Sequence, residues 1–136
     1  DASPAAKGLL KLLDDPSAFA RVNAAAALST FEGHGEAITP VLTSLLSDDD
    51  VNVRITAATS LRNVGPAGRE AVAGLKRLLE DTDARVRAAA ATTLGELRTH
   101  ATSTLATLKT LRDDEDEQVR SAVTRAINLI DETKRN

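Results

Sequence analysis

Apolar residues return along the chain at a spacing of 33 residues. Two of the resulting columns consist of leucine in every repeat, namely Leu9, Leu42, Leu75, Leu108 and Leu12, Leu45, Leu78, Leu111. Self-similarity at a period of about 20 to 50 residues is typical of repeat architectures, in which each unit packs on its neighbours. We therefore predict four repeats, spanning about 4–35, 36–68, 69–101 and 102–136, within a single domain that covers 1–136.

Each repeat is expected to contain two helices. In the second repeat, apolar residues at i, i+4, i+7 and i+8 predict a first helix: Ile38, Leu42, Leu45 and Leu46. A second stripe of the same period begins at Val53, and it is followed by Gly65-Pro66, which is typical of a helix C-terminus. Good N-capping residues precede the second helix of every repeat, at Ser17, Asp50, Asp83 and Asp116. The pattern predicts an all-α protein of eight helices.

An aspartate column and an arginine column run through all four repeats. They consist of Asp15, Asp48, Asp81, Asp114 and of Arg21, Arg54, Arg87, Arg120. We interpret them as a structural ladder, in which each guanidinium binds a turn aspartate or a nearby carbonyl. The alternative is a row of arginines that binds phosphate or carboxylate groups. Exposed ion pairs stabilise a protein by only about 0–1 kcal/mol each, although a network can contribute more.

Composition excludes several classes of protein. The chain is 42% hydrophobic and 27% charged with a formal net charge of −3, which is typical of a folded domain. The acidic balance disfavours nucleic-acid binding, and no apolar run is long enough to span a membrane. Cysteine is absent, so there is no disulfide framework or thiolate site. Because aromatic residues make up only 1%, we expect a leucine and alanine core that also holds Phe19 and Phe31.

Carboxylates are concentrated between the two helices of each repeat. Thirteen of the twenty acidic residues lie in these four turns: Asp14, Asp15, Asp48, Asp49, Asp50, Glu80, Asp81, Asp83, Asp113, Asp114, Glu115, Asp116 and Glu117. Helix capping and solubility explain acidic residues at such positions. A docking edge for a basic partner is the alternative. A calcium site is disfavoured because residues 113–117 lack the glycine and the ligand spacing of an EF-hand loop.

The repeats resemble HEAT repeats, and most closely the short HEAT-like repeats of the phycobilisome (bilin) lyase type. The third repeat carries the pattern most fully, with the leucines of 75–79, the acidic turn, Val86-Arg87, the alanines of 88–91 and Leu94-Gly95. The resemblance covers essentially the whole chain. It implies a right-handed α-α superhelix (a solenoid) of four helix pairs, with ladders that pair repeat to repeat and second helices that line a concave face. A fold of this kind does not by itself imply a function.

The second helices carry the candidate partner-binding surface. A turn of about 100° per residue from the core position Val53 places Ile55, Thr59 and Arg62 on the side away from the core. With equivalent positions in the other repeats, the candidate residues are Val22, Ile55, Thr59, Arg62, Thr92 and Arg125. We predict that a protein or peptide binds there and that the acidic turns steer a basic partner.

No catalytic, metal or cofactor site is predicted. The two histidines, His34 and His100, lie two repeats apart, and we interpret both as solvent-facing loop residues. HEAT-type deoxyhypusine hydroxylases bind two irons through His-Glu pairs, whereas neither histidine here is followed by glutamate. We therefore predict a non-catalytic interaction or scaffolding module. The alternative is a regulatory or substrate-holding subunit of an enzyme, similar to the bilin-lyase relatives.

The first repeat lacks the polar outer face that capping repeats show. Its first helix carries Leu9, Leu10, Leu12 and Leu13. We expect further repeats or another chain to cover this end, and self-association through the first repeat is one way to do so. Since the sequence neither begins with methionine nor contains one, we also expect it to be either a processed chain or a fragment of a longer protein.

Overall fold

The structure is a computed structural model that describes the backbone of residues 3–135 and the side chains of residues 3–132. Its α-helices are α1 (Pro4–Leu12), α2 (Ala18–Leu28), α3 (Gly35–Leu45), α4 (Val51–Ser60), α5 (Val72–Leu78), α6 (Ala84–Glu96), α7 (Leu105–Thr110) and α8 (Glu117–Arg135). Short 3₁₀ segments connect or extend them at Leu61–Asn63, Gly65–Ala71, Arg98–Thr104 and Leu111–Asp113. Within these described residues there is no strand, and the all-α prediction is confirmed.

Side-chain caps fix where each second helix begins. Asp50 accepts hydrogen bonds of 2.8 and 3.3 Å from amides in the first turn of α4. Ser17, Asp83 and Asp116 accept equivalent bonds at the starts of α2, α6 and α8. Such caps satisfy amides that have no partner within the helix itself. The four predicted N-caps are confirmed.

The helices pack in consecutive pairs, and the second helices form a row. Contacts join α1 to α2, α3 to α4, α5 to α6 and α7 to α8, and the row runs from α2 through α4 and α6 to α8. Leu42, Leu75 and Leu108 of the first helices are fully buried, as are alanines of the second helices such as Ala57 and Ala90. Small side chains allow neighbouring helices to approach closely. The right hand of the superhelix stays a prediction from the resemblance.

Both phenylalanines are exposed, so the prediction that they lie in the core is wrong. Phe19 is 52% and Phe31 is 45% accessible to solvent. The residues equivalent to Phe31 in the later repeats, Val64, Leu97 and Ile130, are all buried. Those residues have a preceding repeat in the array beside them, whereas Phe31 belongs to the first repeat described.

The same difference affects the leucine column that begins at Leu12. Leu12 is 40% exposed, whereas the equivalent Leu45 and Leu78 are 2% and 7% exposed. Among the residues with described side chains, the exposed large hydrophobics are Leu12, Phe19 and Phe31, and all three belong to the first repeat. Within the described part of the chain, the large exposed apolar side chains are therefore concentrated in the first repeat.

Candidate functional site

Two ion pairs of the ladder join successive repeats. Arg54 Nε donates to Asp81 Oδ2 at 3.1 Å. Arg87 binds Asp114 through two bonds of 3.0 Å, one from Nε to Oδ2 and one from Nη2 to Oδ1. The side chains of this second pair are only 11% and 8% exposed. A bidentate pair of guanidinium and carboxylate is specific in its geometry as well as its charge. The Arg87–Asp114 pair therefore holds the acidic turn before α8 against α6.

Each ladder arginine also binds backbone carbonyls of its own turn. Arg21 Nη1 donates to the carbonyl of Asp15 at 2.8 Å, and Arg120 Nη1 donates to that of Asp114 at 2.7 Å. Arg54 and Arg87 bind the equivalent carbonyls at 2.8 and 2.9 Å. The ladder arginines therefore bind nearby backbone carbonyls in all four repeats, and Arg54 and Arg87 also bind a turn aspartate. Between the described side chains of Arg21 and Asp48, no ion pair within 4.0 Å occurs.

Arginine contacts lower the pKa values of two carboxyl groups, one in the ladder and one in a helix cap. Hydrogen bonds from Arg87 lower the pKa of Asp114, and the same contact raises the pKa of Arg87. At the start of α6, the side-chain hydrogen bond from Arg85 lowers the pKa of Asp83 to about 2. Both carboxylates are therefore charged at neutral pH, which is the form that an ion pair or a helix N-cap needs.

One member of the candidate surface is in the core. Val22 is 2% exposed, so the prediction that it lies on the side of its helix away from the core is wrong. The equivalent Ile55 and Ala88 are half-buried and pack against the core. The reason is tertiary: α2 lies against α1, α3 and α4, so the flank that faces a neighbouring helix is also covered. The angular position of a residue on its own helix does not show which of its sides a neighbouring helix covers.

The remaining candidate residues stay accessible to different degrees. Thr59 is exposed, and its hydroxyl donates to its own helix, at 2.9 Å to the carbonyl of Ile55. Thr92 is half-buried. The next residue, Thr93, is fully buried, and its hydroxyl donates to the carbonyl of Ala58 at 2.8 Å, which joins α6 to α4. We define Ile55, Thr59, Arg62, Thr92 and Arg125 as the second-helix surface.

A glutamate that the sequence analysis did not single out joins the two arginines of this surface. Glu96 Oε1 lies 3.2 Å from Arg125 Nη2 and 3.9 Å from Arg62 Nη2. The two arginine side chains are 63% and 45% exposed. The cluster therefore crosses from the end of α4 to α8 by way of the last residue of α6. The position of Glu96 at the end of a second helix was visible in the sequence, but its two partners come from other repeats.

The acidic turns divide into bound and exposed carboxylates. The ladder binds Asp81 and Asp114, and the caps use Asp50, Asp83 and Asp116. Among the described turn residues, the exposed carboxylates are Asp14, Asp49, Glu80, Asp113, Glu115 and Glu117. Every turn therefore keeps at least one exposed negative charge, and five of the thirteen turn carboxylates are used for helix capping and for pairing between repeats.

Two open pockets lie beside the candidate surface. One, of about 570 Å³, lies along α8 and is lined by Arg120, Ser121, Thr124, Arg125, Asn128, Leu129 and Glu132. The other, of about 290 Å³, lies where the second and third repeats end, and is lined by Arg62, Gly65, Pro66, Glu96, Leu97, Arg98, Thr99 and His100. We name the second one the junction pocket.

The histidines are in separate places, and one is buried. His34 is 8% exposed, in a pocket with Ala6 and Phe31, so its interpretation as solvent-facing is wrong. Ser3 and Ala6, at the start of α1, line the same pocket, and the position of His34 in the sequence did not indicate this neighbourhood. His100 is half-buried and lines the junction pocket. Within residues 3–132, no group of His, Asp and Glu side chains forms a metal cluster. The described helices are each too short or too polar to cross a membrane.

Comparisons with known proteins bear on the family. A model of HEAT repeats matches residues 6–69 and 38–128. Among solved structures, the chain is similar to an engineered protein, with a TM-score of 0.73 and 27% identity over 93% of this chain. It spans 62% of the length of that protein. It is also similar to the complex of CpcE and CpcF of phycocyanin lyase from Nostoc sp. PCC7120, with a TM-score of 0.71 and 23% identity over 88% of this chain and 78% of that one.

The search among curated protein sequences found no match. The resemblance inferred from the repeat motifs is confirmed, since the matches to the HEAT model extend over most of the four repeats. The similarity to the phycocyanin lyase complex supports the same helical fold. Because the HEAT-repeat model matches far more than half of the chain, the chain belongs to the HEAT-repeat family.

Proposed function

We propose that the chain is a non-catalytic protein-interaction or scaffolding module whose partner lies along the second-helix surface. The observation that carries the proposal is the link through Glu96, which joins Arg62 and Arg125 from different repeats into one exposed polar surface. HEAT repeats typically present such extended surfaces to other proteins. The partner contacts would be made by Thr59, Arg62, Thr92 and Arg125, with the half-buried Ile55 at their edge.

The exposed carboxylates of the acidic turns give this partner an orientation. Asp49, Glu80 and Asp113 lie in the turns that precede the second helices, whereas Arg62 and Glu96 lie at the opposite ends of those helices. A basic segment of the partner would be attracted to the acidic turns during encounter. The effect is electrostatic, so the association rate should fall as salt concentration rises.

The experiment is site-specific photo-crosslinking in cells that produce the protein. A photoreactive amino acid replaces Thr59 on the second-helix surface, and in a matched control it replaces the exposed Lys76 on the first helix α5. We expect a protein adduct from position 59 and none from position 76. Adducts from position 76 alone, or from neither position, would contradict a partner on the second-helix surface.

Self-association through the first repeat is a second candidate function, favoured by a different observation. The exposed large hydrophobics Leu12, Phe19 and Phe31 all lie in that repeat. A second copy that packs on this end would bury them in an isologous contact, as in the commonest homodimers. Sedimentation equilibrium measures this directly: a monomer–dimer equilibrium is expected, and Leu12→Lys should shift it towards monomer. A strictly monomeric wild-type chain at high concentration contradicts the idea.

The alternative from another class is a regulatory or substrate-holding subunit of an enzyme. It is suggested by the similarity to the complex of CpcE and CpcF of phycocyanin lyase. A tetrapyrrole that co-purifies with the chain and gives it a visible absorption band would favour this alternative. A colourless preparation that yields a Thr59 adduct would favour the interaction module.

A further inference from the structure

The junction pocket holds more positive than negative charge. Arg62 and Arg98 line it together with a single carboxylate, that of Glu96, and His100 lies beside them. That carboxylate is already shared, since it also accepts a hydrogen bond from Arg125 at 3.2 Å. In a chain with a formal net charge of −3, this is a local excess of guanidinium groups.

Arg98 contributes a second guanidinium to the junction pocket. Within the described side chains, its guanidinium forms no ion pair of 4.0 Å or less and donates no hydrogen bond. Its neighbour in the pocket, Arg62, reaches Glu96 only at 3.9 Å. Arginine presents its donors in a planar fork that matches a carboxylate in two-point contact. Two such forks in one pocket are therefore available to an incoming anion.

The backbone at Arg98 adds an independent observation. Arg98 has φ of 51°, and it is the non-glycine residue with positive φ among those described. The equivalent residue of the preceding repeat is Gly65, with φ of 67°, and it lines the same pocket. The left-handed conformation raises the free energy of residues other than glycine, and residues held in it cluster at functional sites. The third repeat thus places an arginine at a position where glycine is the favoured residue.

We propose that the junction pocket binds a carboxylate side chain of an acidic segment in the protein partner, with Arg98 and Arg62 as its ligands. This inference rests on the proposed function and names the partner chemistry at one end of the second-helix surface. The volume of about 290 Å³ is at the small end of ligand pockets, which suits one side chain. A nucleic acid is disfavoured as the occupant, because its long phosphate backbone would also meet the exposed carboxylates of the acidic turns, which repel it.

The binding experiment uses a fluorescein-labelled hexaglutamate peptide and fluorescence anisotropy at low ionic strength. The test variant is Arg98→Gly, and the control is Arg112→Gly, which removes another exposed arginine that lies outside the pocket. We expect wild type and control to bind the peptide alike and Arg98→Gly to bind it roughly tenfold more weakly, as the loss of a charged hydrogen bond implies. Arg62→Gln should weaken binding similarly, and Arg62→Lys should restore part of it.

Arg98→Gly keeps the test free of folding artefacts. Glycine occupies the equivalent left-handed position at Gly65, so the variant should retain the wild-type circular dichroism spectrum and unfold at a similar temperature. Equal peptide affinity for wild type, Arg98→Gly and Arg112→Gly would overturn the inference, as would stronger pocket-dependent binding of a labelled oligothymidylate. So would absence of hexaglutamate binding by the wild-type chain. If the Thr59 adduct still forms in that case, the proposed function stands while the carboxylate pocket fails.

Discussion

A single methyl group between α6 and α8 tests how closely the second helices pack. A Cβ atom built at Gly95 would lie 2.8 Å from the Cα of Ala126 and 3.1 Å from its Cβ. The Cα atom belongs to the backbone, so relief requires a displacement of one whole helix rather than a change of rotamer. Gly8 is the matched control, because it is also within a helix and a Cβ there meets nothing within 4 Å.

The two substitutions should have opposite effects on the free energy of unfolding. Alanine is favoured over glycine in a helix by about 0.5–1 kcal/mol, so Gly8→Ala should stabilise the protein by about that amount. Gly95→Ala has the same gain at most, and it carries an overpacking cost of about 1–3 kcal/mol. We therefore expect Gly95→Ala to destabilise the protein by up to about 2.5 kcal/mol, and to be about 1–3 kcal/mol less stable than Gly8→Ala. The difference between the variants isolates the overpacking cost, since the helix-propensity gain is common to both.

Urea unfolding followed by far-UV circular dichroism measures both variants against wild type, with thermal unfolding as a second assay. For a chain of this size, 1 kcal/mol corresponds to a shift in Tm of about 3–5 °C. The slopes of the urea transitions should agree among the three proteins, because a changed slope would indicate a changed extent of cooperative unfolding. If Gly95→Ala stabilises the protein as much as Gly8→Ala does, the close contact of α6 and α8 is refuted.

Three further predictions concern stability. Asp114→Asn removes the carboxylate that Arg87 binds through two hydrogen bonds, so urea unfolding at neutral pH should show a free energy of unfolding lower by about 1.5–3 kcal/mol. Because Arg87 lowers the pKa of Asp114 in the folded state, the extra stability of the wild type should be present above pH 3.8, the usual pKa, and should vanish as the pH falls through the lowered pKa. A stability difference that persists in acid would contradict this origin. Thr93→Val keeps the shape of a buried side chain and loses its bond to the carbonyl of Ala58, so thermal unfolding should show a loss of about 0.5–1.5 kcal/mol, whereas an unchanged Tm would mean that this bond contributes nothing. Val22→Glu places a charge in the core and should cost about 3–5 kcal/mol in urea unfolding, while a fully stable variant would place Val22 at the surface after all.

The candidate site was only partly predictable, and the reason differs among residues. Arg62 and Arg125 were identified from their helix positions, but their common partner Glu96 comes from a third helix. Val22 was misplaced because α2 packs against α1, α3 and α4, neighbours that a count around a single helix does not include. Arg98 carried a signal that was not used. It stands one repeat after Gly65, at a position where the backbone favours glycine.

The sequence by itself determined the helices, their caps and the repeat. Apolar spacing and capping residues act within a few residues of each other, so Asp50 and Asp83 mark helix starts without reference to the rest of the fold. The tertiary structure decided which surfaces remain open, because burial depends on helices that are about one repeat away in sequence. Equivalent residues therefore differ: Leu45 lies on a helix that packs against α2 of the preceding repeat and is buried, whereas Leu12, in the first of the described repeats, is exposed.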